Sequence, residues 1–364
     1  MARIGLINVD SKIPNVALAR LYAYHKRQGD EVVYPYQSGA VDKIYASAIF
    51  TLSRPEIERL RILYPAITIG GSGVDAYNRL PDEVQQMYPA LHEMYGIDYG
   101  LGKTSSGCVR KCSFCIVPIK EGALKPTEGG IDAVVNWAIP EGEYPTTDEV
   151  VSLAKGGSLE PRSNRLILCD NNLLGDPEVI EKLEDIADRK MRVNFNQGLD
   201  IRLVTPDIAR RLRAVRFENF HGTYHQMHFA WDFVGIERAL RRGFECLVDA
   251  GIKPWQIMFY VLVGFNSTFD EDMYRFEELR MLGCEAYIMV YRDFTHGRLG
   301  VKGDGSPQDP RLRHFARWVN AHVYKSCTWE EYEPWKATSK KREVDEQQMR
   351  LFFDEAGEWQ VNVS

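Results

Sequence analysis

Apolar and polar positions follow two rhythms along the chain, and the rhythm switches repeatedly. Short apolar runs at Arg3 to Val9, Glu31 to Tyr34, Lys43 to Thr51 and Ala66 to Ile69 have the length of strands. Between them Val16 to Arg27 and Pro55 to Leu63 repeat every three to four residues, which predicts amphipathic helices. Strands that alternate with helices imply a parallel, wound sheet. The pattern breaks between about Asp82 and Tyr95, where proline, methionine and aromatic residues cluster.

The alternation then resumes on a longer register. Strands are expected near Asp98 to Lys103 and at Arg165 to Cys169, Arg192 to Phe195, His225 to Ala230, Ile257 to Val263 and Ala286 to Tyr291. Helices are expected at Pro177 to Arg189, Pro206 to Val215, Gly235 to Ala250 and Asp270 to Leu282. Six such units fall short of a closed eightfold barrel. Residues Glu121 to Pro161, rich in Gly, Pro and acidic side chains, are too long for a usual strand-to-helix connection and read as an insertion or lid. From Pro307 the chain turns mostly helical, and its final part mixes Lys340, Lys341 and Arg342 with Glu343, Asp345 and Glu346. The fold expected is α/β: a Rossmann-like domain over 1–90, a barrel-like α/β domain over 91–300 and a helical extension over 301–364.

Composition narrows the class. With 45% hydrophobic and 26% charged residues in 364, the chain has a globular make-up and needs no staples to bury a core. A formal charge of −6 supplies no global field for a polyanion such as nucleic acid. No stretch reaches the roughly 18 uninterrupted apolar residues of a membrane span, and the N-terminus has no apolar signal region. A soluble, cytoplasmic protein is expected.

Seven cysteines include three within eight residues, while Cys169, Cys246, Cys284 and Cys327 are scattered and read as small buried hydrophobes. This is a metal site in a reducing compartment rather than a secreted disulfide framework. Cys108, Cys112 and Cys115 have the spacing C-x3-C-x2-C directly after a predicted strand. Three thiolates on one loop suit an iron–sulfur cubane, leaving a fourth iron open for a ligand. A structural zinc site would need a second close ligand pair, and the chain has none.

At these residues the sequence resembles the radical S-adenosylmethionine superfamily, whose hallmark is C-x3-C-x-aromatic-C after the first strand of a partial (β/α)6 TIM-like barrel. Cys108, Cys112, Phe114 and Cys115 match that pattern, and the likeness extends over about Ile97 to Asp293. The resemblance implies a [4Fe-4S] cluster on the three cysteines, S-adenosylmethionine on the open iron and Phe114 beside its adenine. It further implies reductive cleavage to a 5′-deoxyadenosyl radical, an electron from a low-potential donor such as flavodoxin or ferredoxin, and hydrogen abstraction from a substrate the sequence does not identify.

Cofactor contacts are expected at the C-terminal ends of the strands. Asp170, Asn171 and Asn172 stand where the family places a Gly-Gly-Glu type motif; a turn and helix cap is the alternative. Gln197 lies in a polar cluster, and Arg202 could bind a carboxylate or pair with Asp200 or Asp207. Asp232 holds the family's position for ribose hydroxyls, Gly264 opens a turn similar to the family's Gly-Phe-Pro-Gly-Glu-Thr, and Tyr291 ends the sixth strand. His221, His225 and His228 read as hydrogen-bonded barrel histidines rather than a second metal site.

The first domain is similar to a shortened cobalamin-binding domain. The family's cobalt-ligating histidine is missing from the turn Asn8-Val9-Asp10-Ser11-Lys12-Ile13-Pro14, and the first histidine, His25, falls inside a helix. A degenerate domain that packs on the barrel or recognises substrate is preferred to a cobalamin site. Two other readings compete with the radical enzyme. An RNA-modifying methylthiotransferase or methyltransferase relative would need a second cysteine trio and a basic β-rich tail, and an iron–sulfur sensor would have lost S-adenosylmethionine.

Overall fold

The computed structural model describes residues 1–293, 298 and 300–332. It is a mixed α/β structure with parallel sheets. Strands β1 (Arg3–Asn8), β2 (Glu31–Val33), β3 (Lys43–Ser47) and β4 (Thr68–Gly70) form one parallel sheet in the order β2-β1-β3-β4. Helix α1 (Val16–Arg27) starts at Asn15, whose side chain accepts from the Ala17 and Leu18 amides, and ends on His25, Lys26 and Arg27. Both features suit the helix dipole and its unpaired end groups. Its buried face carries Leu18, Ala19, Leu21 and Ala23. Helix α2 (Arg54–Leu63) buries only Ile57 and Leu60.

The next strands are β5 (Gly100–Gly102), β6 (Arg165–Leu168), β7 (Arg192–Phe195) and β8 (Arg216–Phe217), parallel in the order β8-β7-β6-β5. A third sheet, β9-β10-β11, joins Met227–Ala230, Ile257–Val263 and Glu285–Val290, again in parallel. The last two sheets meet where Leu199 bridges Phe229 and its amide donates to the His228 carbonyl at 2.8 Å. Strand alternation then assigns the two faces. Leu166, Leu168, Val193, Phe195, Phe229, Phe259 and Val261 belong to the largest core, with residues of the helices that follow the strands. Ile167 points the other way, into a second core shared with Leu101, Ile4, Leu6, Leu18 and Leu21. The expected boundary at residue 90 is therefore crossed by a continuous apolar core.

The segment 121–161 is no lid. Ile131, Val134, Val135 and Trp137 are buried in the main core, and α3 (Thr147–Lys155) opens with a capping box between Thr146 and Glu149. A Cβ on Gly100 would lie 2.3 Å from the Val134 carbonyl oxygen, so this segment is seated directly on β5. It covers the first strand as a helix would in an ordinary strand–helix unit. Helices α4 (Val179–Asp188), α5 (Pro206–Ala214), α6 (Glu237–Asp249) and α7 (Phe269–Met281) follow their strands as predicted, within two residues at each end. Helix α8 (Leu312–Asn320) packs Phe315 and Trp318 against Phe276 of α7. The charged residues Lys340 to Glu346 of the expected helical extension lie outside the described residues. Among the described residues no helix is long and apolar enough to cross a membrane.

Candidate cluster and cofactor site

The loop after β5 is fixed before it reaches the first cysteine. Asp170, just past the end of β6, accepts on one oxygen from the amides and hydroxyls of both Thr104 and Ser105, at 2.6 to 3.0 Å. From the other side the Lys182 ammonium donates to the Thr104 carbonyl at 3.0 Å and to Asp176 at 2.7 Å. Thr104 and Ser105 are fully buried by this clamp. Gly107 follows at φ +77°, and a Cβ there would lie 2.3 Å from the Ala123 carbonyl oxygen, so the turn requires glycine. Its amide donates to Glu121 at 2.9 Å.

Cys108, Cys112 and Cys115 are all free thiols of intermediate exposure. Cys108 Sγ accepts from the Arg110 amide at 3.3 Å and from Asn172 Nδ2 at 3.4 Å, while Cys115 Sγ accepts from the Val117 amide at 3.4 Å. Such donors stabilise a thiolate and its bond to iron. Burial, and then the Asp232 charge, pushes the Cys112 thiol up, with Arg202 opposing. Burial also raises Cys115, and the other two cysteines add to it. Among the described residues no three His, Cys, Asp or Glu side chains close on a single ion. A cubane asks for something different, one thiolate on each of three separate irons, and free thiols on one N–H-rich loop fit that demand.

Charged groups gather beside this loop. Asp200 accepts from Arg110 Nε at 2.9 Å and from Arg202 at 2.6 and 2.9 Å. Burial would raise its carboxyl, but the two arginines outweigh that and hold it below its ordinary value. The Arg202 fork is thus engaged by Asp200, the pairing weighed in the sequence against a free carboxylate clamp. Asp232 is pushed up to about 6 by burial, with Arg275 and Arg202 opposing.

An aromatic chain ties the loop to the strand ends. Phe114 meets Phe265 edge to face at 5.5 Å, and Phe265 meets Tyr291 at 4.8 Å. Gly264 has φ +72°, and a Cβ there would come within 2.4 Å of Leu312 Cδ1. Its amide donates to Asp272, and its carbonyl, like that of Tyr291, accepts from Gln308 at 2.9 Å. The fully buried Arg275 pairs with Asp272 at 2.5 Å and donates to the carbonyls of Trp231 and Leu262, both at 2.7 Å.

The expected residues thus separate. Phe114, Asn172, Arg202 and Asp232 act on or beside the cysteine loop, while Gly264 and Tyr291 join it through Phe265. Asp170 departs from the expected cofactor contact: one oxygen takes all four donors and the other is buried without a partner. Asn171 donates to Glu121 at 2.6 Å, which places it on the loop's support, and Gln197 is exposed beside Gly198. His225 and His228 bond separate carbonyls, those of Phe217 and Phe195. Arg110, Glu121, Lys182, Arg275 and Gln308 were not singled out in the sequence. Arg110 had a visible signal, lying between two of the cysteines; the others are brought in only by tertiary packing.

No family model matches the chain, and no curated protein matches it. Among solved structures, the apo form of the cobalamin-dependent S-adenosylmethionine radical enzyme OxsB aligns with 95% of this chain and 61% of its own, at 12% identity and a TM-score of 0.38. SuiB of Streptococcus suis, bound to S-adenosylmethionine, aligns over 77% of this chain and 60% of its own, at 10% identity and a TM-score of 0.37. The chain spans about three fifths of either neighbour. At such scores these alignments carry no weight beside the geometry of the loop.

Proposed function

We propose that this chain is a radical S-adenosylmethionine enzyme that abstracts hydrogen from an unidentified substrate. One observation carries the proposal: three free thiols on a single clamped loop, two of them accepting backbone N–H bonds, beside a cluster of charged groups and an aromatic wall. When bound, a [4Fe-4S] cluster and S-adenosylmethionine supply one-electron cleavage of a sulfonium carbon bond, giving a 5′-deoxyadenosyl radical.

The protein's own part is to bind, orient and shield. Cys108, Cys112 and Cys115 hold three irons. Phe114, with Phe265 and Tyr291 behind it, offers adenine an aromatic surface. Asp232 accepts from ribose hydroxyls, and Arg202 adds positive charge for the methionyl carboxylate while Asp200 fixes its orientation. The Asp170 and Lys182 clamp keeps the loop from moving when the cluster is assembled. The electron comes from a low-potential donor of the flavodoxin or ferredoxin kind.

Cobalamin is not part of the proposal: the first domain has no histidine free to ligate cobalt, which weakens a cobalamin site there without closing it. Both nitrogens of His25 are engaged, Nδ1 with Asp30 at 2.9 Å and Nε2 with the Tyr45 hydroxyl at 3.2 Å. Asp10, in the turn after β1, accepts from the Ile49 and Phe50 amides and the Ser53 hydroxyl.

The test is anaerobic reconstitution with iron and sulfide, reduction with dithionite and chromatographic assay for 5′-deoxyadenosine. Product that disappears in Cys112→Ala supports the proposal. A full, reducible cluster that neither binds S-adenosylmethionine nor forms product overturns it in favour of a sensor.

A further inference from the structure

A cavity of about 930 Å³ lies between the first sheet and the strand that leads to the cysteine loop. Lys43, Tyr45 and Ser47, alternate residues on one side of β3, form one wall, and Arg20 and Tyr24 of α1 stand on it as well. The opposite wall includes Leu101, Lys103 and Lys120. The volume is that of a small-molecule site, and its lining mixes apolar and aromatic surface with a few polar groups.

The charges in it are unbalanced. Five lysines and arginines face the cavity against three glutamates. Among these cations only Lys103 makes an ion pair in the described residues, with Glu121 at 2.5 Å. Arg79 donates to the carbonyls of Ala76, Asn78 and Lys120, which latches the Lys120 segment to the first domain. Lys43 lies 4.7 Å over the Tyr45 ring, and the buried Nε of Arg20 has no partner. Lys120 itself is half-buried and reaches only the Ser72 hydroxyl, at 3.5 Å. Burial, and then the nearby Lys103, holds its ammonium below the ordinary value, with Glu121 opposing and Arg79 adding to the effect. The carboxylate beside it, Glu121, is shared between Lys120 and its ion-pair partner Lys103, so a partly desolvated ammonium here is under-compensated, and an anion in the cavity would relieve it.

We propose that this cleft is a second small-molecule site, for a ligand with a phosphate or carboxylate head and an aromatic or apolar body. Lys120, Ser72 and Lys103 receive the head, and Tyr24, Tyr45 and Leu101 line the path of the body. The site does not depend on the radical reading, since its residues hold none of the cluster.

The test is calorimetric titration of phenyl phosphate and of benzoate into the full-length reconstituted protein. Saturable one-to-one binding is expected, tighter for phenyl phosphate if the head is a phosphate and for benzoate if it is a carboxylate. Lys120→Met should weaken it by about tenfold or more, Lys120→Arg should largely retain it, and the remote Lys155→Met should leave it unchanged. Thermal melting of each variant verifies folding. Absence of saturable binding for both probes up to about 10 mM, or equal binding by folded Lys120→Met and wild type, overturns the proposal.

Discussion

The side-chain amide of Asn172 donates to the sulfur of Cys108 at 3.4 Å, while its own carbonyl oxygen is buried without a partner. The residue therefore acts on the sulfur and gains little for itself. Hydrogen bonds to cysteine sulfur stabilise the reduced, more negative cluster and raise its potential. Asn172→Leu should lower the midpoint potential of the reconstituted cluster, read by redox titration with electron paramagnetic resonance. Stability should change by no more than about 1 kcal/mol, because the lost bond and the removed unsatisfied carbonyl oppose each other.

Gly107 is where backbone geometry and metal loading meet. A methyl group there would collide with the Ala123 carbonyl at a φ that side chains rarely adopt. Gly107→Ala should displace Cys108, whose amide bonds the carbonyl of Gly122, next to Ala123 on the facing segment. Iron bound after reconstitution should fall to roughly half of the wild-type value or less, as strain of this kind propagates along a tight turn. Cys246→Ala, which alters a cysteine in helix α6, should load normally; both are read by iron analysis and absorbance.

Much of the fold was legible because long periodic segments fold as their period demands. Helix α1 and strands β7 and β10 coincide with the apolar patterns that predict them. The segment 121–161 was not legible, since its buried Val134 and Val135 sit at a turn and Trp137 in an isolated bridge to Pro161, where apolar residues have no period to reveal them. The cysteine loop could be read because its ligands are close in sequence. Asp170 could not: a carboxylate after a strand looks the same whether it faces a cofactor or caps four donors on a neighbouring loop. The pairing of Arg202 with its neighbour Asp200 was an expected alternative, whereas the joining of Arg110 to that pair depends on a contact 90 residues apart.

The pair Arg275 and Asp272 is fully buried, and it fixes the ends of two strands through the Trp231 and Leu262 carbonyls and the Gly264 amide. Removing one partner leaves a charge in the core. Arg275→Met should destabilise the protein by about 3–5 kcal/mol in urea denaturation. Arg275→Met combined with Asp272→Leu should recover part of that loss, because no unpaired charge then remains. A single variant as stable as wild type would show that the pair contributes little to folding.

Asp232 gives the site a pH dependence whose sign is opposite to that of an ordinary paired carboxylate. Burial, opposed by Arg275 and Arg202, raises its pKa to about 6. The folded state thus keeps this proton over a range in which the unfolded chain has released it. Stability from this group is complete below about pH 4 and is lost as the pH rises through about 6. Asp232→Asn removes the ionisation, so before cluster assembly it should stabilise the protein by roughly 2–3 kcal/mol at pH 8. At about pH 4 the gain should fall to roughly 0.5 kcal/mol, since wild-type Asp232 is then neutral in the folded state and only partly ionised in the unfolded one. Denaturant unfolding at both pH values distinguishes this from a packing effect: a gain of equal size at the two would mean that volume, not charge, sets the stability at this position.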